Sequence, residues 1–220
     1  MQNFDTPAAI TAILDIPAGD VRFIAADRAD TTVEVRPADA AKSRDVKIAE
    51  QTRVEYADGV LRIVAEAKNQ LLGATGSIEV TVQLPAGSRV EAKAAAAGFR
   101  GVGRLGDVVF EGAQGDIKVD EAASLRVTTA SGDVTVGRLT GPAEITTAKG
   151  DIHLTEAVRG KAVLRTQAGS ITVDAARGTS AALDATTGHG RISNSLKNDG
   201  TTELDIHATT AYGDIVARSL

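Results

Sequence analysis

Cysteine and tryptophan are absent from this 220-residue chain, methionine occurs once, and aromatic residues make up only 3% of it. Without cysteine there can be neither a disulfide framework nor a thiolate nucleophile, although no compartment is excluded. The three histidines, His153, His189 and His207, fall in different repeats. A zinc site needs three or four ligands converging on one point, and a Ser-His-Asp arrangement needs a comparable constellation. They read as surface residues. Positive charge is also in deficit: 24 Lys and Arg against 29 Asp and Glu leave a net charge of −5. That balance argues against a nucleic-acid partner or an anionic-membrane surface. No apolar run is long enough for a transmembrane segment, and Met1-Gln2-Asn3-Phe4-Asp5 lacks the basic and apolar regions of a signal peptide. The resulting expectation is a cytoplasmic protein, with the cell surface as the alternative if the chain has been trimmed.

What the chain has instead is a returning phrase. It reads Gly-Asp-Ile-Lys-Val from Gly115, Gly-Asp-Val-Thr-Val from Gly132 and Gly-Asp-Ile-His-Leu from Gly150. It continues as Gly-Ser-Ile-Thr-Val from Gly169, Gly-Arg-Ile-Ser-Asn from Gly190 and Gly-Asp-Ile-Val-Ala from Gly213. Successive glycines are 17, 18, 19, 21 and 23 residues apart. Two residues after the last five stand Val134, Ile152, Ile171, Ile192 and Ile215; five before stand Val127, Ile145, Leu164, Ala185 and Ala208. This alternation puts one set of side chains on one face of a strand. Three before each glycine, in the same phase, comes a threonine: Thr129, Thr147, Thr166, Thr187 and Thr210. Each hydroxyl is expected to bond a backbone group or the next threonine.

Each period therefore holds two short strands meeting at a glycine corner. A unit this small cannot bury its apolar side alone and must stack on copies of itself. Glycine suits the corner because it accepts positive φ and lets successive coils approach closely. The Asp that follows is expected to cap local amides in an Asx-type turn. Small and β-branched residues suit a narrow interior. The reading is an all-β chain built as a β-solenoid.

The Ser/Lys-Gly-Asp-Ile/Val phrase, with Thr three before the Gly and Val-Gln-Leu-Pro-Ala-Gly at 82–87 upstream, resembles the DUF4097 family of bacterial proteins, labelled adhesin-like. That resemblance covers most of the chain, most clearly from Ser88 onward. It implies a right-handed single-stranded β-helix and an association with bacterial envelope stress. It carries no catalytic residues. Gly190-Arg191 and the inward Asn194 depart from the phrase.

Upstream of the repeat the pattern is β but less regular. Strands are expected at 8–16, 20–24, 32–36, 46–48, 54–56, 60–64 and 78–84, and a loop or short helix at 38–45. Asp58-Gly59 between alternating runs is a hairpin signal. Glu91-Ala92-Lys93-Ala94-Ala95-Ala96-Ala97 has the propensity of a helix, but it sits where a coil strand belongs and is read as strand. Residues 66–76 read as a loop. The expected organisation is an irregular N-terminal capping part, 1–87, and regular coils over 88–220, in one continuous domain.

No catalytic, cofactor-binding or metal-ligating residue is assigned, and no cofactor is expected. The Asp column (Asp116, Asp133, Asp151, Asp214) suggests a calcium roll, but calcium rolls use denser Gly-Gly-x-Gly-x-Asp nonapeptides. Asp133, Asp151 and His153 form an acidic patch that a carbohydrate-active β-helix enzyme would use, yet the carboxylate separation and groove such chemistry needs are not legible. The preferred reading is a non-enzymatic scaffold or binding module. Because the chain stops soon after strand 215–217, the C-terminal coil is expected to offer an uncovered edge for self-association. The longer connections at 174–181 and 195–202 read as surface insertions.

Overall fold

The computed structural model describes residues 1–65 and 76–220; the loop expected over 66–76 lies outside these apart from Gly76. The described chain is almost entirely β and separates into two compact units, Met1–Gly115 and Asp116–Leu220.

The first unit contains β1 (Gln2–Asp5), β2 (Thr11–Ala26), β3 (Asp30–Pro37), α1 (Ser43–Gln51), β4 (Arg53–Ala57), β5 (Val60–Val64), β6 (Ile78–Pro85) and β7 (Arg89–Gln114). β2 is its spine. It lies parallel to β5 and β6 on one side and to β7 on the other, in register from Thr11↔Arg89 to Ala25↔Gly103. Antiparallel β3 and β1 extend the β6 side. The β4–β5 hairpin closes at Asp58 and Gly59, both at positive φ (51° and 76°), the geometry a two-residue hairpin loop demands. Phe23, Phe99 and Phe110 fill the interior, with ring centroids 5.8 and 5.4 Å apart.

Tertiary context decides two ambiguous stretches in opposite directions. The alanine-rich 91–97 lies within β7, where Ala92, Ala94 and Ala97 are buried between neighbouring strands. Packing there outweighs helix propensity. Residues 46–48, expected as a strand, instead belong to α1. Asp45 and Ile48 are its buried residues, a spacing of three that falls on one helical face. Three alternating residues are too few to separate a period of 2 from one of 3.6.

The second unit contains β8 (Ile117–Ser131), β9 (Val134–Leu139), β10 (Ala143–Lys149), β11 (Ile152–Ala157), β12 (Gly160–Ala168), β13 (Ile171–Ala175), β14 (Ala181–His189), β15 (Ile192–Ser195), β16 (Leu204–Tyr212) and β17 (Ile215–Ser219). It is a β-solenoid of two-armed coils, each arm a short strand and each corner a glycine. The arms before the glycines pair in parallel in the order β8, β10, β12, β16, β14. Those after the glycines pair as β8, β9, β11, β13, β17, β15. Spatial order thus departs from chain order at one place: the last coil, β16–β17, lies between β12–β13 and β14–β15. The inward column Val134, Ile152, Ile171 and Ile215 is buried, whereas Ile192 of the outermost coil is 46% exposed.

The longer connections follow from this inversion. To leave room for a later coil, the chain must step over two strand spacings, roughly 10 Å, instead of one of about 4.8 Å. Segment 176–180 makes that step and 196–203 returns, so the extra residues serve the topology and are more than tolerated insertions. The return is pinned by Ala181 N–H to Lys197 O (2.9 Å), Lys197 N–H to Ser219 Oγ (2.9 Å) and Asn198 Nδ2 to Ala181 O (3.2 Å). The Thr201 N–H and then the Ser180 hydroxyl hold the Asp199 carboxyl below its ordinary value of 3.8. A carboxyl lowered by folding stabilises the fold above its unfolded value, and that contribution is lost as pH falls from about 3.8 through the lowered one. The protection of the Thr201 amide, its exchange relative to the unstructured rate at the same pH, is therefore expected to fall on acidification below about pH 4 and to change little with acid in Asp199→Asn.

Candidate binding surface at the glycine corners

The corners are built by backbone contact. Gly150, Gly169, Gly190 and Gly213 have φ between 143° and 157°. A Cβ on Gly150 would sit 2.1 Å from Gly132 O, and one on Gly169 2.0 Å from Gly150 O. On Gly213 it would meet Gly169 O and on Gly190 Gly213 O, each at 2.0 Å. The threonine column bonds backbone carbonyls. Thr166 Oγ1 donates to Gly150 O (3.0 Å), Thr210 Oγ1 to Gly169 O (2.9 Å) and Thr187 Oγ1 to Gly213 O (2.9 Å).

The Asp column runs between coils and does not close Asx turns within each. Asp133 N–H donates to Asp116 Oδ1 (3.0 Å), Asp151 N–H to Asp133 Oδ1 (2.8 Å) and Ser170 N–H to Asp151 Oδ1 (2.7 Å). The chain of bonds then follows the spatial order: Asp214 N–H reaches Ser170 Oγ (3.3 Å), and Arg191 N–H reaches Asp214 Oδ1 (2.8 Å). Each side chain thus caps the amide of the next coil. Arg191, which offers no acceptor, stands where the ladder ends. The departure Gly190-Arg191 is explained: among the described residues the outermost coil has no further coil to cap.

The expected free edge also moves. The C-terminal strand β17 is paired on both sides, by β13 and by β15, so the C-terminal coil offers no open edge. The open edge belongs to β14 and β15. Every residue of β15 is exposed; among the described residues no strand pairs with that side, although Lys197 O and Asn198 Nδ2 cap the start of β14 at Ala181.

The histidines do not converge. His189 stacks on Tyr212 (centroids 4.8 Å, 9° between planes). His207 lies between two carboxylates, with Nε2 2.9 Å from Asp205 Oδ2 and Nδ1 3.4 Å from Asp184 Oδ2. His153 Nε2 is 4.0 Å from Oδ2 of buried Asp174, which pairs bidentately with Arg218 (2.7 and 3.0 Å) and raises that guanidinium's pKa. Two coils are tied together by that pair. Among the described residues no cluster of three His, Cys, Asp or Glu is arranged to hold a metal ion. Asp133 and Asp151, the carboxylates an enzyme reading would need, each spend one oxygen on the ladder.

The first unit carries an open groove of about 550 Å³ lined by Asp15, Ile16, Pro17, Lys93, Ala95 and Glu111 among others. Its cation, Lys93, is paired with Glu111 at 3.1 Å, which raises the lysine's pKa. That pairing leaves the amine protonated and unsuited to act as a base.

A family model described as Toastrack DUF4097 matches residues 13–219. The chain belongs to this family. A "putative adhesin" of Bacteroides fragilis shares the fold with a TM-score of 0.58 at 18% identity, over 98% of this chain and 95% of that one. A "putative cell adhesion protein" of Clostridium sporogenes aligns with a TM-score of 0.43 at 12% identity, over 100% and 98% of the two chains. A "putative lipid binding protein" of Parabacteroides distasonis gives 0.45 at 15% identity, over 98% and 95%. No curated protein matches the chain. No helix among the described residues is long and apolar enough to cross a membrane.

Proposed function

We propose that this Toastrack protein is a non-enzymatic, adhesion-like binding module that associates with a second copy of itself through the open β14–β15 edge. The observation that carries the reading is Ile192, an inward-phase residue left 46% exposed on an all-exposed edge strand. An unpaired row of N–H and C=O groups beside exposed apolar surface is a template for strand addition. The adhesin-type names of its fold neighbours agree with a binding role and favour the envelope or cell surface over the cytoplasmic expectation. The carbohydrate-active enzyme reading receives no comparable support, since its carboxylates are engaged in the corner ladder.

Light scattering over a concentration series tests the edge. The wild-type mass is expected to rise from monomer to dimer, and Ile192→Lys combined with Asn194→Lys is expected to weaken dimerisation at least 10-fold. A wild-type monomer at every concentration, or a dimer indifferent to both substitutions, would refute the reading.

A further inference from the structure

The chain has two tyrosines, four phenylalanines and no tryptophan, and one of these few rings is left in the open. Phe23, Phe99 and Phe110 are core residues, and Phe4 packs on Tyr56 with centroids 5.5 Å apart. Tyr212 is 60% exposed. It sits immediately before the Gly213 corner, in register with His189 on one side and Ala168 on the other. Its 4.8 Å stack on His189 at 9° matches the spacing of adjacent strands, about 4.8 Å. The two rings are therefore stacked along the solenoid axis. The second face of Tyr212 turns toward Ala168, whose methyl group is too small to cover it. One coil further along the same row stands the exposed Lys149. Tyr212 and Lys149 thus bound a gap of two strand spacings, roughly 10 Å, floored by Ala168 and Gly169.

Polar groups line that gap from the next row. Asp151, Ser170 and Asp214 follow the three glycines. The ladder uses Asp151 Oδ1, Ser170 Oγ as acceptor and Asp214 Oδ1. Asp151 Oδ2 and the Ser170 O–H remain for a ligand. Asp214 Oδ2 lies 3.8 Å from the Arg191 guanidinium and keeps acceptor capacity.

We infer that this corner is a saccharide-binding subsite, with one sugar ring laid on the free face of Tyr212 above Ala168. Its hydroxyls bond Asp151, Ser170, Asp214 and Lys149. The chemistry selects among flat ligands. A tyrosine presents a rigid amphipathic face to a partly apolar ring, and carboxylates accept paired hydroxyl donors. The same carboxylates repel a nucleotide's phosphates, and Lys149 opposes a quaternary ammonium ion that the ring would otherwise attract. The site goes beyond the edge contact proposed above, because the ring face that it uses looks away from β14. Either proposal can fail alone.

The probes are the methyl glycosides of glucose, galactose, mannose and N-acetylglucosamine and their β-linked oligomers, titrated against the isotope-labelled full chain. Saturable shifts at Gly169, Ser170 and Tyr212 are expected for at least one of them. Tyr212→Ala should weaken binding at least 10-fold, and Asp151→Asn, which keeps the ladder acceptor, severalfold, with unchanged melting temperature and mass. Lack of binding by every sugar, binding indifferent to Tyr212→Ala, or stronger binding of choline or a nucleoside monophosphate would overturn the inference. The mass measurement separates this result from the edge proposal, which Tyr212→Ala leaves intact.

Discussion

Gly150→Ala is expected to prevent the second unit from closing its coils, with a loss of at least about 4 kcal/mol, in the range reserved for backbone and core disruption. Two costs combine. At φ +143° an L-residue is strained by roughly 1–3 kcal/mol. The added Cβ also lands 2.1 Å from Gly132 O, an overlap that only a shift of one coil against the next can relieve. Such a shift would stretch the Gly150 N–H to Ala168 O and Thr166 Oγ1 to Gly150 O bonds together. Gly178→Ala is the control. Its φ is +82° but a Cβ there meets nothing within 4 Å, so only the left-handed strain of about 1–2 kcal/mol remains. Thermal unfolding of both variants separates conformational strain from close approach. Equal melting temperatures would refute the close-packed corner.

Cysteine pairs read the inverted coil order in an all-or-none way, helped by the absence of native cysteines. Arg165 faces Thr209, and Thr209 faces Thr186, in parallel register. Disulfides need Cα separations of about 4.4–6.8 Å, which adjacent strands satisfy and next-nearest strands, roughly 10 Å apart, do not. Arg165→Cys with Thr209→Cys and Thr186→Cys with Thr209→Cys are expected to oxidise quantitatively. Each should raise stability by roughly 3–4 kcal/mol on the loop-closure argument. Arg165→Cys with Thr186→Cys is expected to stay reduced within the monomer. Non-reducing electrophoresis and thermal unfolding provide both readouts. Rapid oxidation of the last pair would mean that the coils stack in chain order.

Much of this architecture is legible in the sequence. The alternating apolar positions, the glycine at each corner and the threonine three residues earlier specify a two-armed coil, because a strand has period 2 and a coil that cannot bury itself must stack. The hairpin at Asp58-Gly59 was legible for a similar local reason, since few residues accept positive φ twice in succession. Helix α1 was not, because Val46-Lys47-Ile48 fits both periods and only the core around Ile48 decides. The ring at Tyr212 gave no sequence signal beyond scarcity. Its meaning depends on the small Ala168 beside it, 44 residues earlier.

The order of the last two coils marks the boundary between sequence and tertiary structure. Coils 160–175, 181–195 and 204–219 carry the same phase, the same threonine and the same glycine. Register alone therefore lets each stack on either other, and local chemistry determined the coil and left its neighbours open. The arrangement was decided by which coil can tolerate having nothing beyond it. Arg191 offers no carboxylate to a next amide, Asn194 puts a polar group where core would lie, and β15 is only four residues long. Coil 204–219 keeps Asp214, Ile215 and Ala217 and so can serve two neighbours, with Ile215 and Ala217 buried. The departures were visible in the sequence. Only the stacked structure, in which every interior coil must satisfy the amides of the next, makes them the terminus.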